Sequence, residues 1–336
     1  MKNIIIFKND RIGDLFHSLN GINQILNEHK DDKITIYLSN YSKDFSFLFF
    51  KENIDVKILN YRLNFYEKIN IFFLLFFNPV DKIYILSPKN FFYYLPLFFK
   101  KIIFYGIAVK EVNKQRPSNF QLKYLYKYIL NDRLNKKKGE SIENLIYKLC
   151  FFNQFNVQNL VNIHPTNTNP LFFTNNDYFH FHFKKNLYLK KNWSFDHLYL
   201  FFKVLLKKNN KLLLTSDLEE TEFNNVFKDK FKTLNFKKEK NFNFTKLVNG
   251  ITYLENIESQ NLFNLIKNSS LVISPHGTMT VMASYLKVPV LDIFDNTINK
   301  IAFYEYKPKN NNYNFFILKP FSEKLLYKIN RLVKNV

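Results

Sequence analysis

The chain has 336 residues, 46% hydrophobic and 18% aromatic, and a formal net charge of +21. That length suits two domains of about 150 residues rather than one core, and the apolar content excludes global disorder. The basic excess favours anionic partners, whether nucleotide diphosphates, acidic lipid headgroups or nucleic acid, without choosing among them; a codon bias toward Lys, Asn, Ile, Phe and Tyr produces the same excess.

In chain order, short β-branched or aromatic runs alternate with helix-length segments. KNIIIF precedes a helix over 14–29, KITIYL one over 41–50, VKIL one over 64–77 and DKIYIL one over 89–100, with KIIFYGI following. Such alternation predicts a parallel sheet covered by helices. Two helical stretches follow near 119–131 and 141–153, and the Pro, Asn and Thr of 164–176 read as a linker. The alternation then restarts with YFHFHF, a helix over 195–208, KLLLT, a helix over 218–227, ITYL, a helix over 259–268, LVIS, a helix over 279–286 and PVLDIF. The reading is two α/β domains, 1–165 and 166–320, with a final helix in 321–336 placed to pack back on the first domain. The lone Cys150 excludes an intramolecular disulfide. The apolar runs 71–77 and 91–99 fall short of the roughly 20 residues of a spanning helix. The charged residues after KNIIIF do not suit a signal peptide, so a cytoplasmic location is expected.

The first chemical site is FKNDRIGDLFHSLNGI. Gly13, one of six glycines, stands where strand turns into helix, and Asp14 falls in the first helical turn, where the helix dipole favours its ionised form. A carboxylate there accepts a proton from an acceptor hydroxyl, or simply caps the helix. His180 and His182 share one strand face but lack a third metal ligand. The turn Ser274-Pro275-His276-Gly277, with Thr278 or Thr280 opening a helix, offers backbone amides to a diphosphate.

The run RIGDLFHSLNGI resembles the N-terminal signature of the ADP-heptose:lipopolysaccharide heptosyltransferases, glycosyltransferase family 9, with Gly13, Asp14, His17 and Leu19 matching. A second likeness lies in 187–220, where Lys191 and Trp193 open a helix and Thr215, Ser216 and Asp217 end the next strand, and a third in 258–294. The resemblance implies a GT-B fold, two Rossmann-like doubly wound domains facing a central cleft. It implies Asp14 as catalytic base with Gly13 and His17 on the acceptor side. The donor side then comprises Lys191, His182, Thr215, Ser216, Asp217, Ser274, His276, Gly277 and Thr278, with Glu219 or Glu220 near the donor ribose. The family's Asp is missing from the turn at 274–277, which departs from the pattern that selects heptose. The activity implied is inverting, metal-independent sugar transfer from a nucleotide-sugar donor to a lipid-linked or surface-glycan acceptor, with no cofactor and no nucleic-acid partner. A UDP-sugar transferase or a silent sugar-nucleotide binder is the alternative. The basic and aromatic run 91–105 is expected either to rest on an anionic membrane as a peripheral contact or to be interior.

Overall fold

A computed structural model of the protein describes residues 1–111, 114–133, 141–150, 178–184, 187, 188, 190–209, 211–216, 237–239, 242–246, 250–255, 257–295, 303, 305–307 and 312–334. The linker 164–176, the helix expected at 218–227, and Asp217, Glu219 and Glu220 lie outside the described residues, as does the side chain of Cys150. The chain divides into two compact units, Met1–His164 with Asn299–Lys307, and Pro165–Ile298 with Pro308–Val336. No described helix is long and apolar enough to cross a membrane.

The first unit contains β1 (Asn3–Lys8), α1 (Ile12–Glu28), β2 (Lys33–Ser39), a 3-10 turn at Lys43–Phe49, β3 (Ile54–Leu59), α2 (Phe65–Phe77), β4 (Lys82–Ile85), α3 (Asn90–Phe98) and β5 (Ile103–Glu111). β6 (Lys114–Arg116), α4 (Asn119–Leu122), β7 (Lys127–Asp132) and α5 (Ile142–Cys150) follow. The strands lie in the order β3-β2-β1-β4-β5, with β7 parallel and β6 antiparallel to β5. The strand order reverses direction between β1 and β4, the point beyond whose C-terminal ends open α/β sheets gather ligands. Ile4, Ile5, Ile6 and Phe7 are all buried because β1 is covered on both faces. A Cβ on Gly21 would lie 2.5 Å from Ile146 Cγ2, so α1 requires glycine to approach α5.

The structure changes one sequence expectation here and refines another. The helix read at 119–131 is a short α4 followed by strand β7, since Tyr126, Tyr128 and Leu130 alternate outward while the strand pairs with β5. The run 91–105 has two sides, one buried, with Phe92, Tyr93, Leu95, Pro96 and Phe104, and one exposed, with Tyr94, Phe98, Lys100, Lys101 and Ile103.

The second unit contains β8 (Phe179–Phe183), α6 (Phe195–Leu206), β9 (Leu212–Ser216), β10 (Lys237–Glu239), β11 (Phe242–Lys246), β12 (Ile251–Glu255), α7 (Ser259–Lys267), β13 (Leu271–Pro275), α8 (Thr278–Tyr285), β14 (Val290–Phe294), β15 (Tyr313–Ile317) and α9 (Glu323–Lys334). Its order is β10-β11-β12-β9-β8-β13-β14-β15, antiparallel only at the β10-β11-β12 edge, and it reverses between β8 and β13. Leu325, Ile329 and Val333 of α9 join the core that also holds Phe201, Phe202 and Leu205 of α6. The final helix, expected against the first domain, thus directs its apolar face into the second unit. Trp193 sits in the same core, its Nε1 donating to the Lys319 carbonyl at 2.8 Å.

Candidate functional site

In the first unit, β1 ends at Lys8, and Arg11, in extended conformation, caps a helix that begins at Ile12. Gly13 therefore lies inside the first helical turn and makes no left-handed turn, contrary to the role the sequence suggested; the chain reverses at Asn9–Arg11. Asp14 is in that first turn and half-buried. Burial raises the pKa of its carboxyl; Lys8 opposes the shift, Asp10 adds to it, and Arg11 and Arg133 oppose it. The dipole expected to keep Asp14 ionised is thus outweighed by lost solvation. Among the described residues no side-chain donor holds this carboxylate, which leaves it able to accept a proton.

The floor around Asp14 is built from the ends of β1, β4 and β7. Asp10 accepts from Lys8 Nζ at 2.9 Å and from Ser87 Oγ at 2.7 Å. Lys89 donates to the carbonyls of Asn9, at 2.7 Å, and Tyr61, and its ammonium lies 4.2 Å from the Tyr61 ring centre. Burial pushes the Lys89 ammonium down to about 8. Arg133, just past β7, grips Glu305 through Nε at 3.2 and 3.0 Å and through Nη2 at 3.0 Å; it also donates to Glu111 and, at 3.0 Å, to the Tyr306 hydroxyl. His17 is buried with its ring 5.5 Å from that of Tyr306. A pocket of about 170 Å³ opens beside Arg133, lined also by Pro88, Val109, Glu111 and Arg116. The sequence reading missed Lys89, Arg133, Glu305 and Tyr306. Only the strand order signals the first two, and nothing local signals that residues from 305–306 return to the first unit.

In the second unit, the reversal point between β8 and β13 gathers most of the expected donor residues. β13 ends at Pro275, and Gly277 precedes α8 with φ +159° and ψ −152°, a backbone essentially restricted to glycine. Among the described residues no side chain caps α8, so the first-turn amides of Thr278, Met279 and Thr280 form a site for negative charge. A Cβ on Gly277 would lie 3.3 Å from Lys184 Nζ, which places an ammonium at the same turn. Lys184 follows β8 directly and is absent from the expected donor set, which holds Lys191; its signal in the sequence is its place at the end of the first strand after the linker.

His276 is held from behind. Its Nδ1 lies 2.7 Å from Asp292 Oδ2, and the fully buried Asp292 also accepts from Tyr313 Oη at 2.7 Å and Thr280 Oγ1 at 3.1 Å. The ring stacks on Phe294 at 4.5 Å. Because the carboxylate only accepts, Nδ1 is the donor, which fixes the ring's orientation through the buried acid.

Other expected donor residues have internal partners. Thr215 Oγ1 lies 2.8 Å from His180 Nε2 and 3.0 Å from His182 Nδ1, and all three residues are buried. Burial brings the His180 pKa down to about 3. Ser274 is buried, with its Oγ donating to the Pro275 carbonyl at 2.9 Å, and Ser216 pairs with the Tyr253 hydroxyl at 3.0 Å. Lys191 forms an ion pair with Asp295 just beyond β14, 3.0 Å apart, after which Asn192 adopts a left-handed backbone that asparagine tolerates.

Against known proteins, no family model matches the chain and no curated protein matches it. Solved structures do. The E. coli ADP-heptose lipopolysaccharide heptosyltransferase II superposes with a TM-score of 0.66 at 12% identity, covering 99% of both chains. A glycosyl transferase family 9 protein from Veillonella parvula follows the whole chain over 90% of its own length, with a TM-score of 0.62 at 12% identity. The chain has their fold, GT-B. The UDP-GlcNAc 2-epimerase of Methanocaldococcus jannaschii shares it, with a TM-score of 0.59 at 15% identity over 98% of this chain and 92% of its own. Identities this low carry the architecture of the two doubly wound units and leave the chemistry to the residues at their reversal points.

Proposed function

We propose that this protein is a glycosyltransferase related to the family 9 heptosyltransferases, moving a sugar from a nucleotide-sugar donor to a hydroxyl of a lipopolysaccharide or other surface-glycan acceptor in the cytoplasm. The observation that carries the reading is the turn at the second unit's reversal point. There the uncapped α8 amides, the glycine-only backbone of Gly277, the Lys184 ammonium and the anchored His276 share one short stretch of structure. Amides at a helix N-terminus and a compact ammonium suit a diphosphate. The first unit supplies Asp14 as the base, with its floor of Lys8, Asp10 and Arg133.

In this reading the acceptor hydroxyl gives its proton to Asp14 as its oxygen attacks the anomeric carbon. The bond from that carbon to the diphosphate oxygen breaks, and the nucleoside diphosphate leaves with the bonding pair. One displacement inverts the anomeric centre. Lys184 and the α8 amides receive the charge that develops on the leaving oxygen, a task fixed dipoles and cations perform without a metal ion. Lys191, expected to contact phosphate, is held by Asp295 and acts on this scheme by shaping the turn before α6.

The test is a thermal-shift screen of the full chain against ADP, UDP, GDP, CDP and their sugar conjugates, followed by a transfer assay with whichever stabilises it. A ligand at a hundred times its dissociation constant stabilises by about 2.7 kcal/mol. Stabilisation by one nucleotide, lost in Lys184→Ala and retained in Asp14→Asn, supports the division of labour. Absence of any shift at millimolar concentration refutes a donor site. Because the 2-epimerases share the fold, UDP-GlcNAc is monitored for epimerisation, and turnover there without transfer would replace the transferase reading.

A further inference from the structure

Helix α2 carries an apolar surface on the side away from the sheet. It opens with a capping box, Asn64 accepting from the Glu67 amide at 2.8 Å while Glu67 accepts from the Asn64 amide at 2.8 Å. From Ile71 to Phe77 every residue is apolar. One side, Ile71 and Leu75, is buried in the first unit's core. An ordinary helix covering a sheet would be polar on the other side. Here that side presents Phe65, Tyr66, Phe73, Phe76 and Phe77, with Phe73, Phe76 and Phe77 exposed by 52%, 67% and 72%. Phe73 stacks on Phe77 at 6.0 Å and Phe76 meets Phe77 at 5.2 Å, so the rings form one patch. Phe98 of α3, 66% exposed, extends it through Phe72, whose ring lies 5.6 Å away.

The charges beside the patch are predominantly basic. Arg62, Lys68, Lys100 and Lys101 are exposed, whereas the two carboxylates between residues 62 and 101 are bonded to backbone amides: Glu67 to Asn60 and Asn64, Asp81 to Asn3. A helix apolar on its outer side, with cations at its borders, matches the interface of an anionic bilayer, where rings enter the acyl boundary and lysines meet headgroup phosphates. A protein partner would need acidic groups around an apolar groove to match the same surface. We infer that α2, with the end of α3, is a membrane-docking face that seats the first unit on anionic lipid. This surface takes in the exposed edge of the 91–105 run singled out in the sequence, Phe98, Lys100 and Lys101, and adds the outer side of α2 to it. The inference does not depend on the transferase reading.

The experiment is co-sedimentation of the full chain with vesicles of phosphatidylcholine alone or mixed with phosphatidylglycerol. The expected result is binding that grows with phosphatidylglycerol content and weakens with salt. The triple variant Phe73→Ser, Phe76→Ser, Phe77→Ser should lower the partition coefficient by about tenfold or more, with its melting temperature maintained because these rings are exposed. Lys100→Glu with Lys101→Glu should lower it by about tenfold on the anionic vesicles alone. Phe73→Trp keeps the bulk of the patch, and the emission of the introduced indole should shift to the blue when vesicles are added. The inference is overturned if the unaltered chain does not sediment with anionic vesicles, if the triple variant binds as the unaltered chain does, or if the emission of the Phe73→Trp variant stays put. A dimer in sedimentation velocity that the triple variant abolishes would also overturn it, by naming a second copy as the occupant. None of these readouts involves sugar transfer, so their failure leaves the proposed activity standing.

Discussion

The two units have the same parallel strand order around their reversal points yet treat a carboxylate there in opposite ways. In the first, Asp14 is half-buried without a side-chain donor among the described residues, and burial raises its pKa. In the second, Asp292 is fully buried and accepts from His276, Thr280 and Tyr313. An acid left without donors is costly to the fold and available to a substrate; one saturated with donors supports the fold and acts only through the group it orients. The comparison supports the proposal that gives chemistry to Asp14 and positioning to Asp292.

The sharpest way to break it is Asp14→Asn, which should lower transfer by about a hundredfold or more while leaving nucleotide binding intact. The same change should raise the melting temperature at neutral pH. The sign follows from linkage: the folded-state pKa of Asp14 lies above its ordinary 3.8, so its contribution to stability is fully present below that value and is lost as pH rises through the folded-state pKa. Melting curves from pH 3 to 8 should therefore show the advantage of the Asn variant shrinking toward the acid end. The acid limb of the rate profile should lie above the ordinary aspartate range. A variant that is inactive and destabilised would return Asp14 to a structural role.

Asp292→Ala should move stability the other way, by roughly 2–4 kcal/mol in denaturant unfolding, because three donors are left facing a cavity. Nucleotide affinity should fall with it as His276 loses its anchor. Equal and same-signed effects for the two acids would erase the distinction between the units. Smallest of the three, Gly277→Ala should cost roughly 1–3 kcal/mol, since alanine is strained at that backbone, and should weaken nucleotide binding more than its stability loss predicts. Thermal shift with and without the nucleotide separates the two effects.

Much of this was legible in the residues. Consecutive β-branched strands such as Ile4–Phe7 announce a sheet buried on both faces, and the Gly13-Asp14 and His276-Gly277 pairs mark two strand-to-helix junctions. Other elements misled or stayed silent. Residues 119–131 have the composition of a helix, and pairing with β5 makes 127–132 a strand, which is tertiary context overriding propensity. Trp193 looked like part of a donor motif and fills a core with Tyr188, Phe201 and Phe321 around it. Thr215 stood at a strand end as a ligand-contacting residue does, and both neighbouring histidines claim its hydroxyl.

The sequence by itself determined the two α/β units and the strands that carry the junctions, because periodicity and local chain reversal are written over a few residues at a time. Tertiary structure alone decided which of the basic and acidic groups meet. Lys184 reaches the Gly277 turn because β8 and β13 are neighbours, Asp292 reaches His276 from the next strand, and Glu305 reaches Arg133 because residues 299–307 belong to the first unit. Electrostatic roles depend on distances of a few ångströms between residues far apart in the chain and on how much water they retain, and neither quantity exists before the strands are ordered in a sheet.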